Sequence, residues 1–283
     1  MMSHRGVPLR RARARRLARR RLPRSAVPSF FTLLNLLSGF MAILQIHQGQ
    51  LVTAAWLIGL AGLFDALDGM MARLTRSASP FGVQLDSLCD VVSFGVVPSF
   101  LVYEFGLYQL HELGMLLASL PAVTGAVRLA RFNVQLVGYD KDYFRGLPIP
   151  AQALFVAAFV ITFHESSLFD SLPMGTGSVL VPMVIGLSLL MVSTIPYEAI
   201  PRPTRQALRQ HPGRVTLFIL GGMFIVFFQA AGLLLVLGLY IVWGLLRALL
   251  NLLRIAWMDE APPYASWQVE TPQEEAYRDV RDV

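Results

Sequence analysis

The 283-residue sequence has little charge and almost no cysteine. Charged residues make up 15% of the chain and hydrophobic residues 55%, whereas soluble domains have about 25% charged residues. This composition excludes an ordinary soluble globular protein. The single cysteine, Cys89, excludes an intramolecular disulfide. None of the five histidines lies near it in sequence, as a catalytic thiol would require, so Cys89 is interpreted as a small core residue.

Long apolar runs take the place of charge. A helix of about 20 apolar residues crosses the hydrocarbon core of a bilayer, and such runs recur along this chain. We predict an all-α fold, a polytopic transmembrane helical bundle with about eight spans. Their approximate ranges are 28–47, 51–72, 84–105, 113–133, 150–164, 178–195, 215–230 and 232–256. The last two meet at Gln229–Gly232, a turn so short that it predicts a tight helical hairpin.

Positive charge is confined to one side of this predicted topology. Ten of the 24 Lys and Arg residues fall within residues 1–24. With a cytoplasmic N-terminus, all the others fall in cytoplasmic loops or at the cytoplasmic ends of spans. Neither Lys nor Arg occurs in the opposite connections, near 48–50, 106–112, 165–177 and 231. This positive-inside pattern predicts that both termini are cytoplasmic.

The distribution of charged and apolar residues divides the chain into three segments. Residues 1–27 are predicted to be a disordered basic arm that touches anionic lipid headgroups. No aromatic residues are interleaved with its arginines, so a nucleic-acid partner is not expected, and the net charge of +6 reflects topology. Residues 28–257 form the membrane domain that contains the chemistry. Residues 258–283 form a polar cytoplasmic tail with no readable function.

Four aspartates interrupt the apolar sequence within 26 residues. Ionised groups at bilayer depth are costly and indicate a functional site. On a helix, Asp65 and Asp68 share one stripe with Gly69 and Ala72, whose small side chains leave space beside the carboxylates. Asp65 lies about 21 Å into its span, which places the site in the cytoplasmic third of the bilayer.

The other two aspartates lie on the next predicted helix, where Gly82, Asp86 and Asp90 follow at i, i+4 and i+8. The two helices are antiparallel, so Asp65 should face the level of Asp90, and Asp68 that of Asp86. Four such carboxylates would repel one another. One or two divalent cations, which prefer oxygen ligands, would remove the repulsion. Salt bridges to Arg73, Arg76 or Arg128 are the structural alternative, and a cation or proton pathway is the other.

The complete run, D-x2-D-G-x2-A-R-x8-G-x3-D-x3-D, resembles the motif of the CDP-alcohol phosphotransferases. All eight fixed positions match: Asp65, Asp68, Gly69, Ala72, Arg73, Gly82, Asp86 and Asp90. Within that family, the chain is most similar to the bacterial integral-membrane phosphatidylserine synthases, over about residues 28–160. Further similar stretches are Thr32–Gly39, Asp86–Gly95, Arg128–Asn133 and Gly146–Pro150. Ser29 departs from the pattern, because relatives often have Pro-Asn where this chain has Pro28-Ser29.

The resemblance implies that an alcohol attacks the phosphatidyl phosphorus of CDP-diacylglycerol and releases CMP. With L-serine as the acceptor, the product is phosphatidylserine. The resemblance also implies two metal ions, Mg²⁺ or Mn²⁺, with Asp65 and Asp86 bridging both. Asp68 completes the shell of one ion and Asp90 that of the other, and Asp90 is the general base. CDP-lipid contacts are expected from Gly69, Ala72, Arg73, Ser79 and Gly82. A homodimer in the bacterial inner membrane is implied as well.

A serine acceptor requires a cation for its carboxylate, which the motif does not supply. Arg128 and Arg131 stand at i and i+3 at the cytoplasmic end of the fourth span, followed by Asn133. We predict that one or both arginines hold the serine carboxylate and that Asn133 also belongs to the acceptor site. The alternative is that they are topological anchors that reach to the interface.

Two other functions stay open on the sequence. A transferase of the same family with another acceptor, such as glycerol phosphate or an inositol compound, would need several basic groups near the aspartates. A membrane cation or proton transporter would show paired repeats and interrupted helices. Neither feature stands out here, and a transporter gives no reason for Gly69, Ala72, Arg73 and Gly82. A prenyl-transferring enzyme is weaker still, because no D-D-x-x-D stretch occurs.

Overall fold

The computed structural model describes residues 26–75, 79–135, 143–169, 171–198 and 212–258. Residues 1–25 of the predicted basic arm and residues 259–283 of the predicted tail lie outside them. The chain divides into two compact units between Ile241 and Val242. Nearly all of the described residues are helical, which confirms the predicted all-α class.

Eight α-helices are present in the described residues. They are α1 Ala26–His47, α2 Leu51–Thr75, α3 Pro80–Asp90, α4 Val97–Phe105, α5 His111–Gln135, α6 Ile149–Phe163, α7 Gly177–Val192 and α8 Pro212–Met258. A π-helical segment, Val91–Val96, joins α3 directly to α4, and 3₁₀ turns occupy Leu107–Leu110 and Ser167–Phe169. Two short strands are β1, Tyr143–Arg145, and β2, Pro196–Glu198.

Five helical stretches are long and apolar enough to cross a membrane. They are Pro28–His47, Leu51–Thr75, Pro80–Phe105, Leu107–Val134 and Leu220–Asn251. The first four correspond to the first four predicted spans. The fifth and sixth predicted spans correspond to the shorter apolar helices α6 and α7, of 15 and 16 residues. The chain is therefore an integral membrane protein of the predicted polytopic kind.

The seventh and eighth predicted spans both lie within α8, which reverses direction at Gln229. The backbone of Gln229 is non-helical, with φ 48° and ψ −121°. Across the bend, a Cβ atom on Gly221 would lie 3.8 Å from the Val236 side chain, and one on Gly232 would lie 2.7 Å from the Phe224 carbonyl. Residues this far apart in sequence meet only if the chain folds back. The predicted hairpin is confirmed.

The strands β1 and β2 form a pairing that the sequence analysis did not predict, because both segments were interpreted as loops. They are antiparallel, with Phe144 opposite Tyr197. Gly146 follows β1 with φ 79°, a conformation that favours glycine. Its N–H donates to the Ile195 carbonyl at 2.9 Å, and the Met191 carbonyl leaves no room for a Cβ. The α5–α6 and α7–α8 connections are thus tied together.

The packing places the π-helical segment at the centre of the bundle. α1 packs along α2, α2 along α6, and α5 along α7, while the π-helical segment contacts both α1 and α5. Phe94 in this segment is fully buried, as are Leu101 in α4 and Ile149 in α6. Close approach needs small residues: a Cβ on Gly39 of α1 would lie 2.5 Å from Ser93 Oγ.

The π-helical segment has a local cause in Pro98. A proline inside a helix donates no N–H and clashes with the carbonyl four residues earlier. Here the last bond before Pro98 is the wider i→i−5 bond from Val97 N–H to Val92 O. A single wide turn of this kind is frequent at functional sites, and this one begins immediately after Asp90.

Gly39→Ala should destabilise the protein, because the new methyl group would overlap Ser93 Oγ. Overpacking of this kind costs about 1–3 kcal/mol. Gly59→Ala is the matched control: Gly59 is also helical, nothing lies within 4 Å of its Cβ position, and alanine is the better helix former. Thermal unfolding of the detergent-solubilised variants tests this. Equal midpoints for the two variants would contradict the close contact between α1 and the π-helical segment.

Candidate active site

Three aspartates meet between α2 and α3. Asp65 and Asp68 lie on one stripe of α2 and Asp86 lies on α3, and one carboxylate oxygen from each lies within 4.8 Å of the other two. Asp68 is only 6% exposed, and Asp65 and Asp86 are half-buried. The predicted juxtaposition of the two helices is therefore present. We call these three residues the aspartate cluster.

Asp90 lies beside the aspartate cluster, one turn after Asp86 on α3. It is 7% exposed and is within electrostatic range of Asp65, Asp86 and Asp68. Its Oδ1 accepts a hydrogen bond of 3.1 Å from Nδ2 of Asn35, on α1. The surroundings of Asp90 thus combine a neutral donor, the like charges of the aspartate cluster and the nearby Arg128.

The donor set of the aspartate cluster fits a hard divalent cation. Asp68 Oδ2 and Asp86 Oδ1 are buried and have no hydrogen-bond partner among the described residues. Two oxygens on opposite sides of Mg²⁺ are about 4.2 Å apart, twice the usual metal–oxygen distance, so a spacing of up to 4.8 Å needs little adjustment. Buried carboxylates are normally paired or bound to a metal. A cation would satisfy the oxygens that the protein leaves without partners.

The small residues of the motif border the aspartate cluster toward the exposed end of α2. Gly69 is half-buried, and the Arg73 guanidinium folds back over it, with Nη1 3.4 Å from the position of a Cβ on Gly69. Arg73 itself is exposed, and Ala72, beside it, is half-buried. An exposed guanidinium fork next to carboxylates is suited to a phosphate that bridges the two.

Ser79 and Gly82 begin α3. Ser79 is the N-cap, and its Oγ accepts the Gly82 N–H at 3.1 Å. A Cβ on Gly82 would lie only 3.2 Å from that oxygen. Helix capping accounts for this contact by itself. The serine hydroxyl still has its own proton to donate, so the cap does not conflict with the predicted lipid contact.

Arg128 is the buried cation of the site. It lies on α5, is 8% exposed, and is within electrostatic range of Asp90 and Tyr240. Its Nε has no hydrogen-bond partner among the described residues. Burying a guanidinium without satisfying its donors is costly. The Nε of Arg128 is therefore available as a donor to a ligand.

The other two predicted acceptor residues already have partners in the protein. Arg131 is exposed, and its Nη1 donates to the Val192 carbonyl at 3.0 Å, which satisfies a carbonyl at the end of α7. Asn133 Nδ2 donates to Ser87 Oγ at 2.9 Å and so links α5 to α3. The structure therefore distinguishes among the three residues, with Arg128 alone both buried and incompletely bonded.

Two tyrosines lie next to one another, and one of them, Tyr240, is within electrostatic range of Arg128. Tyr197, on β2, is fully buried, and its ring centroid is 5.4 Å from that of Tyr240. Burial raises the pKa of Tyr197 to about 12, so its hydroxyl stays protonated. That hydroxyl has no hydrogen-bond partner among the described residues. The pairing of β1 with β2 holds this side chain in place.

Asn35 is the functional candidate to which the sequence analysis gave no role. It is fully buried in α1, and Ser93 Oγ donates to its backbone carbonyl at 3.1 Å. A signal was present, because Thr32, Asn35 and Ser38 repeat at i, i+3 and i+6 in an otherwise apolar span. This polar repeat does not reveal that Asn35 bonds to Asp90, which lies 55 residues further along the chain.

Comparison with known proteins is consistent with this geometry. A family model described as CDP-alcohol phosphatidyltransferase matches residues 25–195. A CDP-diacylglycerol–serine O-phosphatidyltransferase of Helicobacter pylori is 35% identical over 231 residues, which are 81% of this chain and 93% of the relative. An archaetidylserine synthase of Methanothermobacter thermautotrophicus is 38% identical over 62% of this chain and 70% of its own length. A CDP-diacylglycerol–serine O-phosphatidyltransferase of Bacillus subtilis is 33% identical over 60% of this chain and 89% of its own length.

Mg²⁺ or Mn²⁺ should stabilise the protein, and Asp86→Asn should remove most of that stabilisation. A ligand at about 100 times its Kd stabilises a fold by about 2.7 kcal/mol. Without metal, the variant should be at least as stable as the wild type, because one of three repelling charges is gone. Thermal unfolding with and without the cation measures both effects. Glu104→Gln, which alters an exposed carboxylate on α4, is the control. An undiminished cation effect in Asp86→Asn would contradict the site.

Proposed function

The chain belongs to the CDP-alcohol phosphatidyltransferase family, and on that premise we propose that it transfers the phosphatidyl group of CDP-diacylglycerol to L-serine. The products are phosphatidylserine and CMP. One observation supports this proposal above the others. The aspartate cluster, with Asp90 beside it, shares the interior of the bundle with the buried and incompletely bonded Arg128. A carboxylate-bearing alcohol fits between these two features.

The residues divide the work according to their charge and exposure. Arg73, exposed at the end of α2, binds the diphosphate of the CDP-lipid, and Gly69 and Ala72 leave room for the nucleotide. Ser79 and Gly82, at the start of α3, border the same space. A divalent cation held by Asp65, Asp68 and Asp86, with Asp90 completing its surroundings, would supply positive charge against the diphosphate and the departing CMP. On the family pattern there are two such ions.

Asp90 is the proposed general base. It takes the proton of the serine hydroxyl while the hydroxyl oxygen forms a bond to the phosphatidyl phosphorus. The bond from that phosphorus to the oxygen of CMP breaks, and CMP leaves with the electron pair. Asp90 is only 7% exposed, so few bulk waters reach the base and competing hydrolysis of the CDP-lipid is limited.

Arg128 is the proposed partner of the serine carboxylate. Its position next to Asp90 would bring the carboxylate and the hydroxyl of one small acceptor to the two groups at the same time. Arg131 and Asn133 remain contributors in this proposal, but as residues that fix the ends of α5, α7 and α3 around the acceptor. The bonds to Val192 and Ser87 support that division.

The setting follows from the distribution of charge along the sequence. With all the lysines and arginines on one side of the predicted topology, we place the site and both termini in the cytoplasm and the protein in a bacterial inner membrane. The acyl chains then remain in the bilayer while serine and CMP exchange with the cytoplasm. A homodimer is part of the proposal on the family pattern alone.

A transferase for another acceptor is the second candidate. An acceptor such as glycerol phosphate has two negative charges at its phosphate and would need several cations near Asp90. Within the described residues, Arg128 is the buried cation there, and Arg131 is exposed and bonded to Val192. A single buried guanidinium matches the single charge of a carboxylate.

The acceptor assay is the direct test of this function. Purified protein receives CDP-diacylglycerol, Mg²⁺ or Mn²⁺, and one acceptor at a time from L-serine, glycerol 3-phosphate and myo-inositol. We expect L-serine to accelerate CMP release most and to yield phosphatidylserine. Asp90→Asn supplies the background rate. Faster release with either of the other acceptors would reject serine as the substrate.

Arg128→Ala should raise the KM for serine by about 10- to 150-fold, which corresponds to a charge-assisted hydrogen bond of about 1.5–3 kcal/mol. The KM for CDP-diacylglycerol should stay within about twofold. Arg128→Lys keeps the charge but loses the two-pronged geometry of the guanidinium. Its KM for serine should therefore lie between that of the wild type and that of Arg128→Ala. Arg131→Ala is the matched comparison on the same helix. A larger effect on the serine KM from Arg131→Ala than from Arg128→Ala would overturn the assignment.

A further inference from the structure

Asn35 is a costly residue for the interior of a membrane helix. Its side chain is fully buried, and while Nδ2 bonds to Asp90, Oδ1 has no partner among the described residues. Leaving a buried polar atom without a partner costs about 1–3 kcal/mol. Leucine has the same branched shape without this cost. What asparagine adds over leucine is the hydrogen bond to the buried Asp90 carboxylate.

The backbone around Asn35 is fixed with respect to Asp90. Ser93 Oγ donates to the Asn35 carbonyl at 3.1 Å. One turn further along α1, Gly39 allows the helix to approach Ser93 more closely than any other residue would permit. Ser93 belongs to the π-helical segment, which begins directly after Asp90. The Asn35 amide and the Asp90 carboxylate are thus held close by contacts between α1 and the π-helical segment that directly continues α3.

The chemistry of the donor matters as much as its position. Asn35 contributes an N–H to one carboxylate oxygen and adds no charge. A lysine or arginine in this place would form an ion pair with Asp90 and compete with a cation for the carboxylate. A neutral donor fixes the rotation of the carboxylate and leaves its negative charge, and its second oxygen, available to the reaction.

We propose that Asn35 is a positioning residue that holds Asp90 in the orientation needed to take the acceptor's proton. This inference rests on the proposed role of Asp90 as the general base. A misplacement of a reacting group by about 1 Å can cost about 10²-fold in rate. Loss of the amide should therefore reduce kcat, while the KM values for both substrates and the binding of metal change little.

Asn35→Leu tests this proposal most directly. We expect kcat for CMP release to fall by about 30- to 100-fold at saturating substrates, with both KM values within about threefold of the wild type. We also expect only a small change in the thermal midpoint, because the lost hydrogen bond to Asp90 and the removal of the unpaired Oδ1 act in opposite directions. Asn35→Ala should lose a similar amount of kcat, so that a packing fault specific to leucine is not mistaken for the effect.

Ser38→Ala is the matched control on the same helix. Ser38 is buried, and its hydroxyl donates to the Leu34 carbonyl within α1, so its loss should leave kcat within about twofold. The assay uses whichever acceptor the wild type consumes fastest, so failure of serine as the acceptor would not decide the question of Asn35. An Asn35→Leu variant with near-normal kcat would overturn the proposal. So would a loss of kcat matched by an equal loss of stabilisation by Mg²⁺, because Asn35 would then support metal binding instead.

Discussion

Mutual repulsion among carboxylates held together in an apolar environment is the constraint on which this structure depends. Two unit charges about 4 Å apart interact by about 4 kcal/mol at an effective dielectric constant of 20, and three aspartates approach to within 4.8 Å here. Rigid helices can maintain such an arrangement, because their backbone groups are satisfied internally. Contacts between helices add to this rigidity: Gly39 allows α1 to approach Ser93, Ser93 bonds to Asn35, and Asn133 of α5 bonds to Ser87 of α3. They prevent the helices from moving apart.

The polar groups around the site differ in exposure, from buried groups in the interior to exposed groups at the rim. Asp90, the most enclosed carboxylate, has a neutral amide as its donor, and Arg128 stands near it without a bond to its Nε. The exposed guanidinium of Arg73 lies at the end of α2, over Gly69. Arg128, which is enclosed near Asp90, is within electrostatic range of that carboxylate. In the proposed function, ligands supply the rest of the charge compensation and can bind and leave during a catalytic cycle.

Helical periodicity explains how much of this could be predicted from the sequence. The stripe of Asp65 and Asp68, the facing position of Asp86, and the hairpin at Gln229 all follow from spacing along one or two adjacent helices. The partner of Asn35 and the pairing of β1 with β2 depend on segments far apart in sequence, for which no local rule exists. Arg128 and Arg131 look equivalent in the sequence. They differ only because α7 ends beside one of them and the other is enclosed by the bundle.

The π-helical segment at Val91–Val96 makes the protein sensitive to the deletion of a single residue. A π turn is an α-helix with one residue inserted. Within Pro80–Phe105, the side chains before the turn are therefore rotated by about 100° about the helix axis relative to those after it. Removing one codon within the segment would remove the extra residue of the wide turn and leave an apolar span that still enters the membrane. Asp86 and Asp90, however, would turn about 100° away from Asp65 and Asn35 relative to α4. Such a deletion would leave a well-inserted protein without its site, and for that reason the length of this turn is as much a part of the chemistry as the aspartates are.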